Sequence, residues 1–172
     1  DNIWSVYLSN TGISKFPSTV LSKMLAGKNV SMNPYIGGTQ HGISGQSTPK
    51  DLETAFQLMY LYFAEPRFDA EEFATGIQQI KAVLPNLVNT PDFKFQNFVS
   101  EKLYGGNERV VIINDEVLGN AKLETIENVY LNVLFKNVGG ATLTIVGNVD
   151  LETLKPLVEK YVGSLPKGKK AS

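Results

Sequence analysis

At 172 residues, with 42% hydrophobic and 19% charged residues, the chain is sized and composed for one globular domain, and a disordered tail is excluded. The 16 Lys+Arg nearly cancel 17 Asp+Glu, so the basic surplus that a nucleic-acid partner needs is missing. Cysteine is absent, which excludes disulfides and thiolate metal sites, and no apolar run reaches the ~18 residues that cross a bilayer.

The chain opens on Asp1-Asn2-Ile3-Trp4, without Met or a visible signal peptide, as a fragment or mature product would. Ile3, Trp4, Tyr7 and Leu8 make a short apolar helical face, and Gly12 suits its C-cap. A second helix is expected from about Ser18 to Leu25, with Val20, Leu21, Met24 and Leu25 on one side and Gly27 at positive φ after it. The period then changes. Asn29 to Asn33 alternates polar and apolar residues, Gly37-Gly38 can reverse the chain, and a return strand covers about Gln40 to Gln46 with Ile43 inward.

Thr48-Pro49-Lys50-Asp51 reads as a helix start. Thr48 accepts an orphan N–H, Pro49 pre-sets φ, and Asp51 completes a variant capping box. Leu52, Phe56, Met59, Tyr60 and Phe63 share one face of that helix, which Pro66 closes. Asp69 with Glu72 opens another helix, with Phe73, Ile77 and Ile80 inward and Pro85 as its limit. Thr90-Pro91 starts a third, whose buried face is Phe95, Phe98, Val99 and Leu103, with Gly105-Gly106 stopping it. A further helix fits residues 123–135. Ala141 to Gly147, rich in β-branched residues, reads as a central strand. Asp150 caps a last helix carrying Leu154, Leu157, Val158 and Tyr161, in which Pro156 predicts a kink or a late start. The order α-α-β-β-α-α-α-α-β-α segregates helices and strands. The fold class expected is α+β, a two-layer sandwich with a largely antiparallel sheet covered by helices on one face. Three strands make that sheet thin, as if further strands lay outside the chain.

The chemistry-bearing patterns are sparse. A catalytic zinc takes three protein ligands, and zincin motifs place two histidines one helical turn apart. His41 is the one histidine, lies in the hairpin, and reads as a polar or capping residue. A triad of His41, Ser44 and Asp51 is close in sequence, but Gly42-Ile43-Ser44-Gly45-Gln46 lacks the glycine spacing of a nucleophile elbow. Gly45-Gln46-Ser47 precedes a helix, yet Gln46 stands where a phosphate loop needs Lys. Glu71-Glu72 and Asp115-Glu116 sit where helices begin and favour the positive end of the helix dipole. Phe56, Tyr60, Phe63, Phe95 and Phe98 have helical spacing and read as core.

Two segments carry a family likeness. One is Leu25-Ala26-Gly27-Lys28-Asn29-Val30-Ser31-Met32-Asn33-Pro34-Tyr35-Ile36 with Gly42-Ile43-Ser44-Gly45-Gln46-Ser47, running on through Asp51-Leu52-Glu53-Thr54 and Gln57 to Phe63 into Pro66-Arg67-Phe68-Asp69. The other is Leu143-Thr144-Ile145-Val146-Gly147-Asn148-Val149-Asp150-Leu151 with Leu157 to Pro166. Together they resemble the inactive repeats of insulinase-type (pitrilysin family) zinc peptidases, the large bacterial envelope proteases above all. The resemblance implies an α/β sandwich domain, truncated at its N-terminal strands, that clasps companion domains of its kind around a peptide-holding chamber. It implies zinc in a companion domain through an inverted His-x-x-Glu-His and a distant Glu, and a periplasmic or envelope location. In this chain the metal helix would be Asn2 to Asn10, with ligand positions near Ile3, Val6 and Tyr7, none of which can bind zinc as His or Glu does. The Arg and Tyr that active members supply to substrate are missing around Met24 to Ser31. The expectation is therefore one inactive repeat over residues 1–166 and a basic tail over 167–172, with no catalytic, cofactor-binding or metal residue of its own, no nucleic-acid partner and no membrane span. The expected role is to help enclose substrate in a zinc metalloendopeptidase of peptides or small proteins. A scaffold domain in a relative without peptidase activity is the alternative, and an independent enzyme built on His41 and the hairpin glycines is a third reading.

Overall fold

The computed structural model describes Tyr7 and residues 11–37, 39–105, 107, 110–135 and 138–166. The expected first helix, apart from Tyr7, and the basic tail lie outside them. In chain order the elements are α1 (Ser18–Met24), β1 (Val30–Ile36), β2 (His41–Ser47), α2 (Leu52–Ala64), α3 (Ala70–Val88), α4 (Pro91–Tyr104), α5 (Asp115–Asn120), α6 (Leu123–Val129) and α7 (Leu151–Leu157). A 3-10 turn over Pro49–Asp51 leads into α2, and π turns over Tyr130–Leu134 and Val158–Val162 extend α6 and α7.

The architecture is α+β, with a small antiparallel sheet packed on helices. β1 and β2 pair antiparallel, Val30 opposite Ser47 and Ile36 opposite His41, and the Gly37 N–H donates to the Gln40 carbonyl at 2.8 Å to close the turn. Gly45 lies opposite Met32, and a Cβ there would run into the Ser31 carbonyl and the Met32 side chain, so only glycine lets the strands approach. α2 packs against the hairpin. Its inward residues Ala55, Phe56, Leu58, Met59 and Tyr62 are all buried.

Two clusters form the core. Tyr7, Ile126, Tyr130 and Phe135 make one, and Phe56, Met59 and Tyr161 the other, while half-buried Ile43 touches both from β2, inward as its alternation predicts. The rings stack in series: Tyr130 to Phe135 at 4.3 Å, Phe63 to Phe135 at 5.4 Å, Phe68 to Tyr130 at 5.6 Å. The Phe63–Phe135 and Phe68–Tyr130 pairs meet edge-to-face and the Tyr130–Phe135 pair is tilted; aromatic pairs add about 0.5–1.5 kcal/mol each beyond area burial. Tyr130 is fully buried and its hydroxyl donates to the Tyr62 carbonyl at 2.8 Å. That carbonyl would meet the N–H of residue 66 in a continuing helix, but Pro66 has none, so Tyr130 caps α2 from another element. Burial pushes the Tyr130 phenol well above its ordinary range, with Tyr62 adding to the effect, so it stays a protonated donor.

The caps are mostly as the sequence predicts. Asp69 accepts the Glu71 and Glu72 N–H groups, Thr90 that of Phe93 and Asp150 that of Thr153. Gly12 and Gly27 take φ of 77° and 80°. Thr48 differs. Its hydroxyl donates to Asp51 Oδ2 at 2.8 Å instead of accepting from the helix, and the same carboxylate oxygen accepts the Asn29 N–H at 2.9 Å. Asp51 thus ties the start of α2 back to the chain entering β1. These bonds, the Asn29 N–H foremost, hold its carboxyl below the usual range.

Three expectations fail outright and one fails in part. Pro85 does not end its helix: α3 runs to Val88, because the missing N–H removes one bond from a helix anchored by buried Leu84. Of the two outcomes read for Pro156, the late start does not occur, since α7 starts at Leu151 on its Asp150 cap; a π turn follows the proline. α4 does not bury Phe95, Phe98 or Leu103, which are 65%, 57% and 67% exposed, because helical spacing marks an apolar face without supplying the surface to cover it. Most consequentially, residues 141–147 form no strand. No backbone N–H or C=O from Thr142 to Val146 bonds to another described residue, and β propensity cannot make a strand without a neighbour to pair with.

Candidate functional site

Three places bring polar or cleft-lining groups together. The first lies beside Tyr7. The Tyr7 hydroxyl accepts the Asp69 N–H at 2.9 Å, and the Thr11 hydroxyl donates to Glu72 Oε2 at 2.9 Å. Arg67 bonds Asp69 at 2.9 Å and Glu72 at 3.2 Å. Its hydrogen bond to Glu72 and the neighbouring carboxylates hold the guanidinium charged, above even its high ordinary range. A cavity of about 620 Å³ opens next to this network. The capping box read at Asp69 and Glu72 is half made: Asp69 caps α3, while Glu72 turns to Arg67 and Thr11.

This network does not suit zinc. A divalent cation would need the two carboxylates that Arg67 already neutralises, and the chain offers one histidine and no cysteine. Tyr7, one of the three positions aligned with the family's ligands, is buried with its phenol engaged; Ile3 and Val6 lie outside the described residues. Among the described residues no cluster of three or more His, Cys, Asp or Glu could hold a metal ion. Arg67 stands out only weakly in the sequence. Its signal was an arginine two residues before a capping Asp and five before a first-turn Glu.

The second place is His41, at the start of β2. Its ring meets Phe135 edge-on at 5.6 Å. The triad is not assembled. Ser44 lies three residues along the same strand, so it points to the opposite face of the sheet, and the Asp51 carboxylate is held by Asn29 and Thr48. Nearby, Glu53 accepts from Lys160 at 3.0 Å and from the Tyr161 hydroxyl at 2.9 Å, fastening α7's extension to α2. The Lys160 bond in particular lowers the Glu53 pKa.

The third place is a cleft of about 500 Å³ between β2, α2 and residues 142–149. Its floor includes Leu52, Phe56 and Met59, and no charged residue lines it. It offers apolar surface and backbone groups, with no nucleophile–base pair.

No family model matches the chain. An Arabidopsis thaliana protein described as "Zinc protease PQQL-like" is 32% identical over 120 residues, which is 68% of this chain and 12% of that protein. The periplasmic protease PqqL from Escherichia coli superposes with a TM-score of 0.71 at 20% identity, over 98% of this chain and 19% of its own. The ferredoxin protease FusC, solved in complex with Arabidopsis ferredoxin, superposes at 0.72 and 16% identity, over 99% of this chain and 18% of its own. The chain thus spans less than a fifth of each relative. Among the described residues no helix is long and apolar enough to cross a membrane. In sequence likeness and in fold, the chain is an insulinase-type peptidase domain.

Proposed function

We propose that this chain is a non-catalytic domain that helps to enclose substrate in a zinc metalloendopeptidase of peptides or small proteins. One observation carries the reading. The chain matches zinc proteases, yet its single histidine cannot supply a motif that needs two. The acidic groups beside Tyr7 and Thr11, Asp69 and Glu72, are bound to Arg67. Zinc is then held by a companion insulinase-type domain, in the same chain or a paired subunit, and this domain contributes wall. The relatives are several times longer than this chain, which leaves room for such companions. The periplasmic relative favours the same compartment or the envelope here.

The test compares the purified chain with the intact protein that carries it, by zinc content after dialysis and by cleavage of quenched-fluorescence peptides. Zinc and cleavage are expected in the intact protein and in neither case from the chain alone. Stoichiometric zinc at a defined site in the isolated chain would overturn the reading. So would an intact protein with no zinc and no cleavage, which would make the domain a scaffold.

A further inference from the structure

α4 lies on the protein with its aromatic side outward. None of its residues is buried. Phe93, Asn97, Val99 and Ser100 are half-buried and mark the side that rests on the protein, while Lys94, Phe95, Phe98, Glu101 and Lys102 are exposed. Those five follow the spacing i, i+1, i+4, i+7, i+8, so they share one face about 120° wide. The helix thus turns polar Asn97 and Ser100 inward and two phenylalanines toward water. A single exposed phenylalanine is ordinary, but two on successive turns of one stripe form a patch. It is widened by exposed Leu103 and Tyr104 at the helix end, and by exposed Val83 and Leu87 on α3, against which α4 packs. The Lys102 ammonium lies 5.7 Å from the centre of the Phe98 ring. Lys94 stands one turn before Phe98 and Glu101 one turn after it, and neither forms a salt bridge with a described residue.

We infer that this face docks on the same face of a second copy, α4 against α4, antiparallel across a two-fold axis. The stripe is self-complementary in that arrangement. In a two-fold contact residue i meets j and j meets i. Lys94 and Glu101 stand equally far from the midpoint between Asn97 and Phe98, on the same flank of the stripe. Antiparallel pairing therefore sets Lys94 of each copy level with Glu101 of the other, and two ion pairs bracket the centre. The two Phe98 rings meet beside the axis, with the Phe95 rings next to them, and aromatic pairs of this kind are favourable. Parallel pairing would instead set Lys94 against Lys94 and Glu101 against Glu101. An anionic lipid surface would attract the lysines but repel Glu101, so a second copy is the better match. The contact is small. One helix stripe from each copy falls in the class of weak interfaces, under about 1,200 Å², with a Kd on the order of 10–100 µM. The dilute protein is then monomeric. The inference does not depend on whether the domain is catalytic, because α4 contributes nothing to the polar network beside Tyr7.

Analytical ultracentrifugation of the intact protein that carries this chain, over about 1–500 µM to bracket that constant, tests the inference. A reversible monomer–dimer equilibrium is expected. Lys94→Glu and Glu101→Lys should each weaken it at least about tenfold, because each turns two ion pairs into two like-charge contacts. The double variant, Lys94→Glu with Glu101→Lys, should return the Kd to within about threefold of the starting value. Both positions are exposed, so the fold, followed by circular dichroism, should not change. A protein that stays monomeric throughout would overturn the inference and leave α4 to another domain of the same protein. A dimer indifferent to the single variants, or a double variant as weak as the singles, would also overturn it. Zinc content and peptide cleavage of the same samples report separately on the proposed function.

Discussion

Tyr130→Phe isolates one hydrogen bond of the core. The ring is fully buried and keeps its partners, Phe135 at 4.3 Å and Phe68 at 5.6 Å, so the substitution removes only the hydroxyl. What it leaves behind is the Tyr62 carbonyl in the last turn of α2, with Pro66 unable to donate to it. Stranding a buried acceptor costs about 1–3 kcal/mol, which for a chain of this size lowers Tm by about 2–12 °C. Because burial keeps the Tyr130 phenol protonated through the ordinary range, the loss should be the same at any pH between about 5 and 9. Urea unfolding followed by circular dichroism, at several pH values in that range, gives the comparison. A variant within about 0.3 kcal/mol of the parent sequence, with an unchanged m-value, would refute the idea that Tyr130 caps α2.

Gly45→Ala should cost about 1–3 kcal/mol in the same assay, because its Cβ meets Met32 and the Ser31 carbonyl across the hairpin; a neutral result would mean the strands are further apart. Phe98→Ser on α4 should change stability by no more than about 0.5 kcal/mol, since the ring is 57% exposed, whereas a loss of about 3 kcal/mol or more would place it in a core. Asp51→Asn should show a pH signature. The folded-state carboxyl lies below its ordinary value of 3.8, so the ionised form adds stability above that value, and the contribution is lost as pH falls through the lower folded one. The gap between wild type and variant in urea midpoint should therefore hold constant from about pH 7 to 5 and close below about pH 3.8. A gap that persists unchanged to about pH 2 would show that the charge plays no part.

The parts legible in the sequence are those set by neighbours along the chain. Asp69, Thr90 and Asp150 cap helices because their side chains reach an N–H two or three residues on, and the alternation around Ile43 needs only the pleat to choose its inward face. What was not legible depends on distant partners. Thr48 has the residue type and place of a helix cap, but Asp51 offers its hydroxyl a stronger acceptor while binding Asn29, 22 residues away. Tyr130 looked like one more apolar position of a helix, and its capping of α2 spans 68 residues. Residues 141–147 and the face of α4 show the same limit from the other side: β propensity and helical period name the surface to be covered, and neither names its cover. The Arg67 network escaped for a related reason, since Tyr7 and Thr11 reach it from about 60 positions earlier in the chain.

The proposed function requires that this domain of a zinc-peptidase family hold no zinc of its own. Metal analysis of the purified 172-residue chain after dialysis against a zinc-buffered solution addresses that claim most directly. Far less than one zinc per chain is expected, unchanged by His41→Ala. One zinc per chain that is lost on substituting His41, Asp69 or Glu72 would contradict it.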